Sequence, residues 1–222
     1  MHTGRQPVVT YTLIGLNVLI FLLQMMPGLD LTSSVLYAPL YSRAEFIPMG
    51  ATYEPWRMLT SMFAHSTGSI FHILLNMYTL WIFGQVLESM LGRIRFLALY
   101  LIAGLAGSVA VMFWAEVTSA VVGASGAIFG LLGAFFIIQR KLGGDSTQLL
   151  ILLGINLVMG FLPGLNISWQ AHLGGVIAGV LVGLIYVNTR RPQQKRLQIL
   201  LTSGLALAIL ALAVSHAPIF VT

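Results

Sequence analysis

The chain has 222 residues, 58% of them hydrophobic and only 8% charged, with eleven Lys and Arg against six Asp and Glu. Soluble domains carry roughly a quarter charged residues, so this composition, with a mean hydropathy of +0.92, excludes a water-soluble globule and implies a polytopic membrane protein with little mass outside the bilayer. The lack of cysteine excludes disulfides, cysteine-ligated zinc and a thiol nucleophile, and the formal charge of +5 comes with no basic run interleaved with aromatics, so no nucleic-acid partner is expected.

Apolar windows of about 20 residues predict seven spans in chain order, near 8–26, 69–91, 95–115, 123–139, 147–163, 169–188 and 197–215. The expected fold class is therefore an all-α polytopic membrane protein. The first span follows Arg5 without a small-residue cleavage site, and reads as a retained helix. The connection near 27–68 mixes Tyr37, Tyr41, Phe46, Trp56 and Met58, a composition suited to the membrane interface. The fifth span is short and runs into Pro163-Gly164.

The basic residues set the expected orientation. Arg5, Arg93, Arg95, Arg140, Lys141, Arg190, Arg191, Lys195 and Arg196 fall on one side of these spans, and only Arg43 and Arg57 on the other. Basic loops stay inside, which predicts a cytoplasmic N-terminus and an external C-terminus. The lack of a transit peptide favours a plasma (inner) membrane of bacterial type.

Spans two, four and six then all run from outside to inside. Ser125 lies 15 residues before Arg140, His172 lies 16 before Asn188, and His72 lies 16 before Glu88. At about 1.5 Å per residue these side chains sit roughly 22–24 Å above the inner edge, in the outer part of a core about 30 Å thick. Polar groups at that depth are expensive and mark function. Ser125 is set among small residues in Val122-Gly123-Ala124-Ser125-Gly126-Ala127-Ile128-Phe129-Gly130, which by itself is also a helix-packing pattern. Gly175, Gly179 and Gly183 recur every fourth residue on the face of span six near His172. Close approach of these two small-residue faces would present His172 toward Ser125.

A neutral histidine can take the proton of a serine hydroxyl. His72 and Asn76, at i and i+4 on one face, can donate hydrogen bonds to a developing oxyanion alongside the Ser125 amide. The acids are Asp30, Glu45, Glu54, Glu88, Glu116 and Asp145, and none falls on an outer half-helix beside His172. A Ser–His dyad is expected, with His172 oriented by packing against Phe129.

These motifs, in this order, resemble the rhomboid family of intramembrane serine proteases, over about Trp56 to Gly183. Trp56-Arg57 resembles the family's first-loop pair, and His72-x-x-x-Asn76 its second-helix motif, followed by Gly84 and Glu88. Gly123-Ala-Ser125-Gly126 is similar to the nucleophile motif, and Ala171-His172-x-x-Gly175-x-x-x-Gly179 to the base motif. The resemblance implies Ser125 as nucleophile, His172 as general base, and His72, Asn76 and the Ser125 amide as oxyanion hole. Gly123, Gly126, Phe129, Trp56 and Arg57 would support the site. It also implies cleavage of transmembrane or membrane-proximal segments of membrane proteins near the outer boundary, with no cofactor or metal. The first loop would lie partly in the outer leaflet, and the short fifth span with the loop at Pro163, Gly164 and Asn166 would act as gate and cap. Residues 1–190 would form a six-helix core and 191–222 an additional C-terminal helix without chemistry.

Other polar residues read as structural. Trp56 and Arg57 suit an interfacial anchor and loop brace, His65 a structural hydrogen bond, Glu88 a bond near spans one or three, and Asn17 and Gln24 bonds between helices. A rhomboid-like protein that holds membrane clients uncut remains the alternative, although both Ser125 and His172 are present. A transporter would show paired broken segments in two halves, which the sequence lacks. His72 and His172 alone make a poor metal site, and bis-histidine haem would colour the preparation.

Overall fold

A computed structural model describes residues 6–160 and 167–218, apart from the side chains of Asn156 and Met159. Helices dominate the described residues, which hold no strand beyond an isolated bridge between Tyr37 and Val121. Two short helices, α2 (Leu31–Val35) and α3 (Arg57–Thr60), lie in the first loop, between α1 (Val8–Gln24) and α4 (Ile70–Leu91). Then follow α5 (Arg93–Trp114), α6 (Ser125–Lys141), α7 (Thr147–Met159), α8 (Trp169–Asn188) and α9 (Lys195–Ala213). Arg5, Pro163, Gly164 and Asn166 lie outside the described residues.

Among the described residues, four helices are long and apolar enough to cross a bilayer: α4, α5, α8 and the segment Pro192–Ala213 that contains α9. The helices α1, of 17 residues, and α7, of 13, are shorter than the windows that predict them, whereas α6, of 17, keeps the length of its window and is shifted along the chain. At about 1.5 Å per residue, α7 reaches only about 20 Å, well under the hydrocarbon thickness. The fourth span starts two residues later than expected because Gly123 has φ +127°, which no helix accommodates, and its amide is bonded to the Ser61 carbonyl instead.

The inner group is α5, α6 and α8, with α1 packed on α4, α7 against α6 and α8, and α9 against α5 and α8. Lipid provides little hydrophobic drive between helices, so close backbone approach must hold them together. A β-carbon on Gly175 would meet the Gly126 carbonyl at 2.0 Å, and one on Gly179 would meet that of Gly130 at 1.9 Å. On the other side of α8, a β-carbon on Gly174 would lie 2.6 Å from the Ala106 carbonyl of α5. The outer helices do the opposite. Phe71, Leu75 and Tyr78 on α4 and Leu200 and Leu207 on α9 are each at least 60% exposed. Helical ribs of this kind satisfy their own backbone and turn apolar side chains to lipid.

Glu88 holds α1 in place. Its carboxylate accepts the amides of Val9 and Thr10 and the Thr10 hydroxyl, capping a helix start that has no other side-chain cap. Thr10 in turn fills the notch at Gly84, where a β-carbon would come within 2.7 Å of it. Gln24 leaves the helix layer to bond Thr32 and His65 in the first loop. The Asn17 amide donates to the Leu13 carbonyl one turn back in α1, and its side chain also meets the Tyr100 hydroxyl of α5.

Replacing Gly179 by Ala forces a methyl group onto the Gly130 carbonyl, and overpacking of this kind costs about 1–3 kcal/mol. The unfolding midpoint in detergent should fall by roughly 2–12 °C. Gly204→Ala, in α9 with open space around it, should leave the midpoint unchanged or slightly raised.

Candidate active site

The α6–α8 contact brings two side chains from distant parts of the sequence together. Ser125 is the first residue of α6, and His172 sits one turn into α8. Their hydroxyl and imidazole Nε2 are 3.0 Å apart, a hydrogen bond between residues 47 apart in sequence. The Phe129 ring lies parallel to the His172 ring, with centroids 3.9 Å apart and planes 9° from parallel. His172 is buried, and among the described residues its Nδ1 has no hydrogen-bond partner. Stacking rather than a carboxylate therefore fixes the ring.

His72 approaches from α4. Its Nδ1 accepts the Ser66 amide at 3.1 Å, so in the neutral ring the proton resides on Nε2, an assignment made from the bond. That Nε2 lies beside Gly123: a β-carbon there would sit 2.9 Å from it and 3.8 Å from Ser125 Oγ. The glycine thus leaves open the space between the His72 donor and the serine, in a backbone conformation that side chains rarely adopt. Gly126, the next glycine of the motif, faces the Ala171 carbonyl of α8 and Gly107 of α5. Asn76 lies buried one turn below His72 and donates to the His72 carbonyl at 2.7 Å; it makes no hydrogen bond to Ser125. Its second N–H remains available.

Trp56 and Arg57 are not brought to the serine. Trp56 is exposed. Arg57 is buried, pairs with Glu54, donates to the Ser33 and Leu36 carbonyls, and lies 4.1 Å above the Tyr41 ring. It cross-links the first loop. That loop in turn borders the serine segment, through the bridge of Tyr37 to Val121, the Leu40 amide on Val117 and the Gly123 amide on Ser61.

Ser61 and Ser66 carry no sequence signal for these roles, because each acts through the backbone of a loop without periodicity. The structural hydrogen bond expected of His65 is made by its backbone, whose N–H and carbonyl both bond the Gln24 side chain. The ring itself is fully buried, has no hydrogen-bond partner on either nitrogen among the described residues, and lies 5.2 Å from the His72 ring. The Gln24 amide saturates the main chain while packing encloses the imidazole. Burial, with a smaller contribution from His72, pushes the His65 pKa down to about 4.

The described residues thus define a polytopic helical membrane protein with a half-buried serine bonded to a buried histidine and a second histidine aimed at the same small space. The rhomboid domain model matches residues 52–189, more than half of the chain, and the chain belongs to the rhomboid family. It is 37% identical over 179 residues to Rhomboid protease GluP of Bacillus subtilis (strain 168), covering 78% of this chain and 34% of that protein. RHOMBOID-like protein 5 of Arabidopsis thaliana is 39% identical over 149 residues, covering 63% and 46%. RHOMBOID-like protein 1 of the same plant is 37% identical over 149 residues, covering 64% and 36%. The chain spans between a third and a half of the length of these relatives.

The buried His65 ring makes stability depend on acid. Above about pH 6.5 the ring is neutral in both folded and unfolded chains. Between pH 6.5 and 4 the unfolded chain binds a proton that the folded chain refuses, so stability falls as pH falls. The loss from this residue is on the order of 2–3 kcal/mol by pH 4.5. Unfolding midpoints in detergent from pH 7.5 to 4.5 should drop less steeply for His65→Leu than for the wild type; parallel slopes would show that His65 titrates normally.

Proposed function

We propose that this protein is an intramembrane serine endopeptidase that cleaves transmembrane or membrane-proximal segments of other membrane proteins near the outer boundary of the bilayer. The observation that carries this reading is the 3.0 Å contact between Ser125 Oγ and His172 Nε2, at a depth where an unneeded polar pair would be selected against on energetic grounds. Family membership, with a relative named as a protease, supports it.

In the proposed reaction Ser125 Oγ attacks the scissile carbonyl while His172 Nε2 takes its proton. The alkoxide that forms is met by His72 Nε2–H, by Asn76 once its free N–H turns toward it, and by the Ser125 amide at the start of α6, where the helix dipole is positive. No carboxylate stabilises the imidazolium. The Phe129 ring, 3.9 Å away, presents its electron-rich face to the new charge instead, an interaction of about 1–2 kcal/mol in a desolvated site. His172 then protonates the leaving amine as the C–N bond breaks. Water, activated by the same nitrogen, hydrolyses the ester on Ser125 and restores both groups.

The proposed topology has a cytoplasmic N-terminus, an external C-terminus and a site that opens to the outer face, in a plasma (inner) membrane. The distribution of Lys and Arg supports it. So does the bond of the Ala44 amide to the His216 carbonyl, which places the end of α9 on the same side as the first loop. Residues 1–190 form the six-helix core in this reading, and 191–222 the added helix. The alternative, a rhomboid-like protein that binds clients without cutting them, shares every feature except proton transfer between Ser125 and His172.

Reconstitution in liposomes with a tagged single-span substrate separates the two. Ser125→Ala and His172→Ala should each lower cleavage by at least about 10³-fold, as removal of either member of a serine–histidine pair does. Asn76→Ala should lower kcat by about 10²-fold, the scale of one oxyanion donor. Equal cleavage by wild type and Ser125→Ala would remove Ser125 from the chemistry.

A further inference from the structure

At the basic end of the bundle, remote from Ser125, a cleft of about 1170 Å³ opens where the start of α5 meets Tyr186 of α8 and the first turns of α9. Arg93, Arg95 and Lys195 line it, and Glu88 is its one acidic lining residue. That carboxylate is already saturated by the α1 amides and Thr10, with Arg93 at 4.0 Å beside it. Among the described residues Arg95 and Lys195 have no carboxylate within ion-pair distance, and both are exposed. The same cleft is walled by Ile94, 86% exposed, and Ile199, 55% exposed. The apolar surface continues along α9 through Leu200 and Leu207.

Unpaired cations at the boundary where a lipid-facing apolar wall begins have one complementary ligand, an anion that carries its own hydrocarbon. We propose that this cleft binds an anionic phospholipid, with its phosphate between Arg95 and Lys195 and its acyl chains along Ile94 and Ile199. A free phosphate would use the cations and leave the apolar wall bare. A zwitterionic lipid would bring an ammonium group that finds no available carboxylate, because Glu88 is committed to α1. Basic pockets between membrane helices on the cytoplasmic side hold anionic head groups by this logic. A lipid seated there bridges α5 and α9, and so couples the added C-terminal helix to the core. The proposal is independent of the peptidase reading, since a client-holding protein with the same cleft would retain the same lipid.

Native mass spectrometry of the full chain tests it, in a zwitterionic detergent with equimolar phosphatidylglycerol and phosphatidylcholine. The wild type should retain phosphatidylglycerol in preference. R95Q/K195Q should lose that preference by about fivefold for each neutralised side chain, and R95K/K195R should keep it. R140Q/K141Q removes two charges from the same end of the bundle but outside the cleft, and should also keep it. No preference in the wild type, or an equal fall in R140Q/K141Q, would overturn the proposal without reference to how the cleft variant folds. Displacement of the lipid by millimolar inorganic phosphate would show a free-anion site and overturn the lipid assignment.

Discussion

The backbone contact of α6 with α8 governs this structure. Gly126 and Gly130 present carbonyl oxygens where Gly175 and Gly179 have no side chain, leaving no room for a β-carbon. In a bilayer this packing replaces the hydrophobic drive that water would supply. It also sets the geometry of the proposed catalytic pair, because Ser125 precedes the first of these glycines by one residue and His172 precedes Gly175 by three. The same approach that welds the helices fixes a hydroxyl and an imidazole at hydrogen-bond distance. A shift of about 1 Å between the helices would lose both packing and the pair, and displacements of that size are enough to disable a reacting geometry.

Around that contact the rest of the fold acts as scaffolding at graded distances. Phe129, one turn below the serine, holds the His172 ring by stacking. The first loop fixes the segment before α6 through Ser61 and Val121, and is itself cross-linked by the buried Arg57. Ser66 sets the tautomer of His72, so a loop amide determines which ring nitrogen faces the serine. At the opposite end Glu88 and Gly84 seat α1 against α4. Several polar side chains inside the bundle, among them Glu88, Gln24 and Ser108, bond a backbone partner, whereas the buried imidazole of His65 has none among the described residues.

Much of this was legible in the amino-acid sequence, for physical reasons. Helices in lipid must be apolar and of bounded length, so composition alone announces them; glycines every fourth residue announce a close crossing, and depth counted from Arg140, Asn188 and Glu88 at the far helix ends aligns Ser125, His172 and His72. What could not be read depends on geometry that has no period. The φ of +127° at Gly123 moves the start of α6 to the serine itself. Asn76 shares the expected face, yet donates to its own helix. Arg57 reads as a loop brace, but its particular carbonyl partners, 21 and 24 residues away, follow only from the folded loop. The orphaned ring of His65 had no signal at all, since nothing in a sequence distinguishes a bonded imidazole from an enclosed one.

In the proposed mechanism His172 makes Ser125 nucleophilic inside the membrane. Treating the reconstituted full chain with a fluorophosphonate, an electrophile that phosphonylates only activated serines, and mapping the adduct by peptide mass spectrometry tests this without any assumption about substrate. One adduct is expected, on Ser125, present in the wild type and absent from His172→Ala. An unmodified Ser125 in a correctly folded wild-type protein, or equal modification in His172→Ala, would contradict this mechanism.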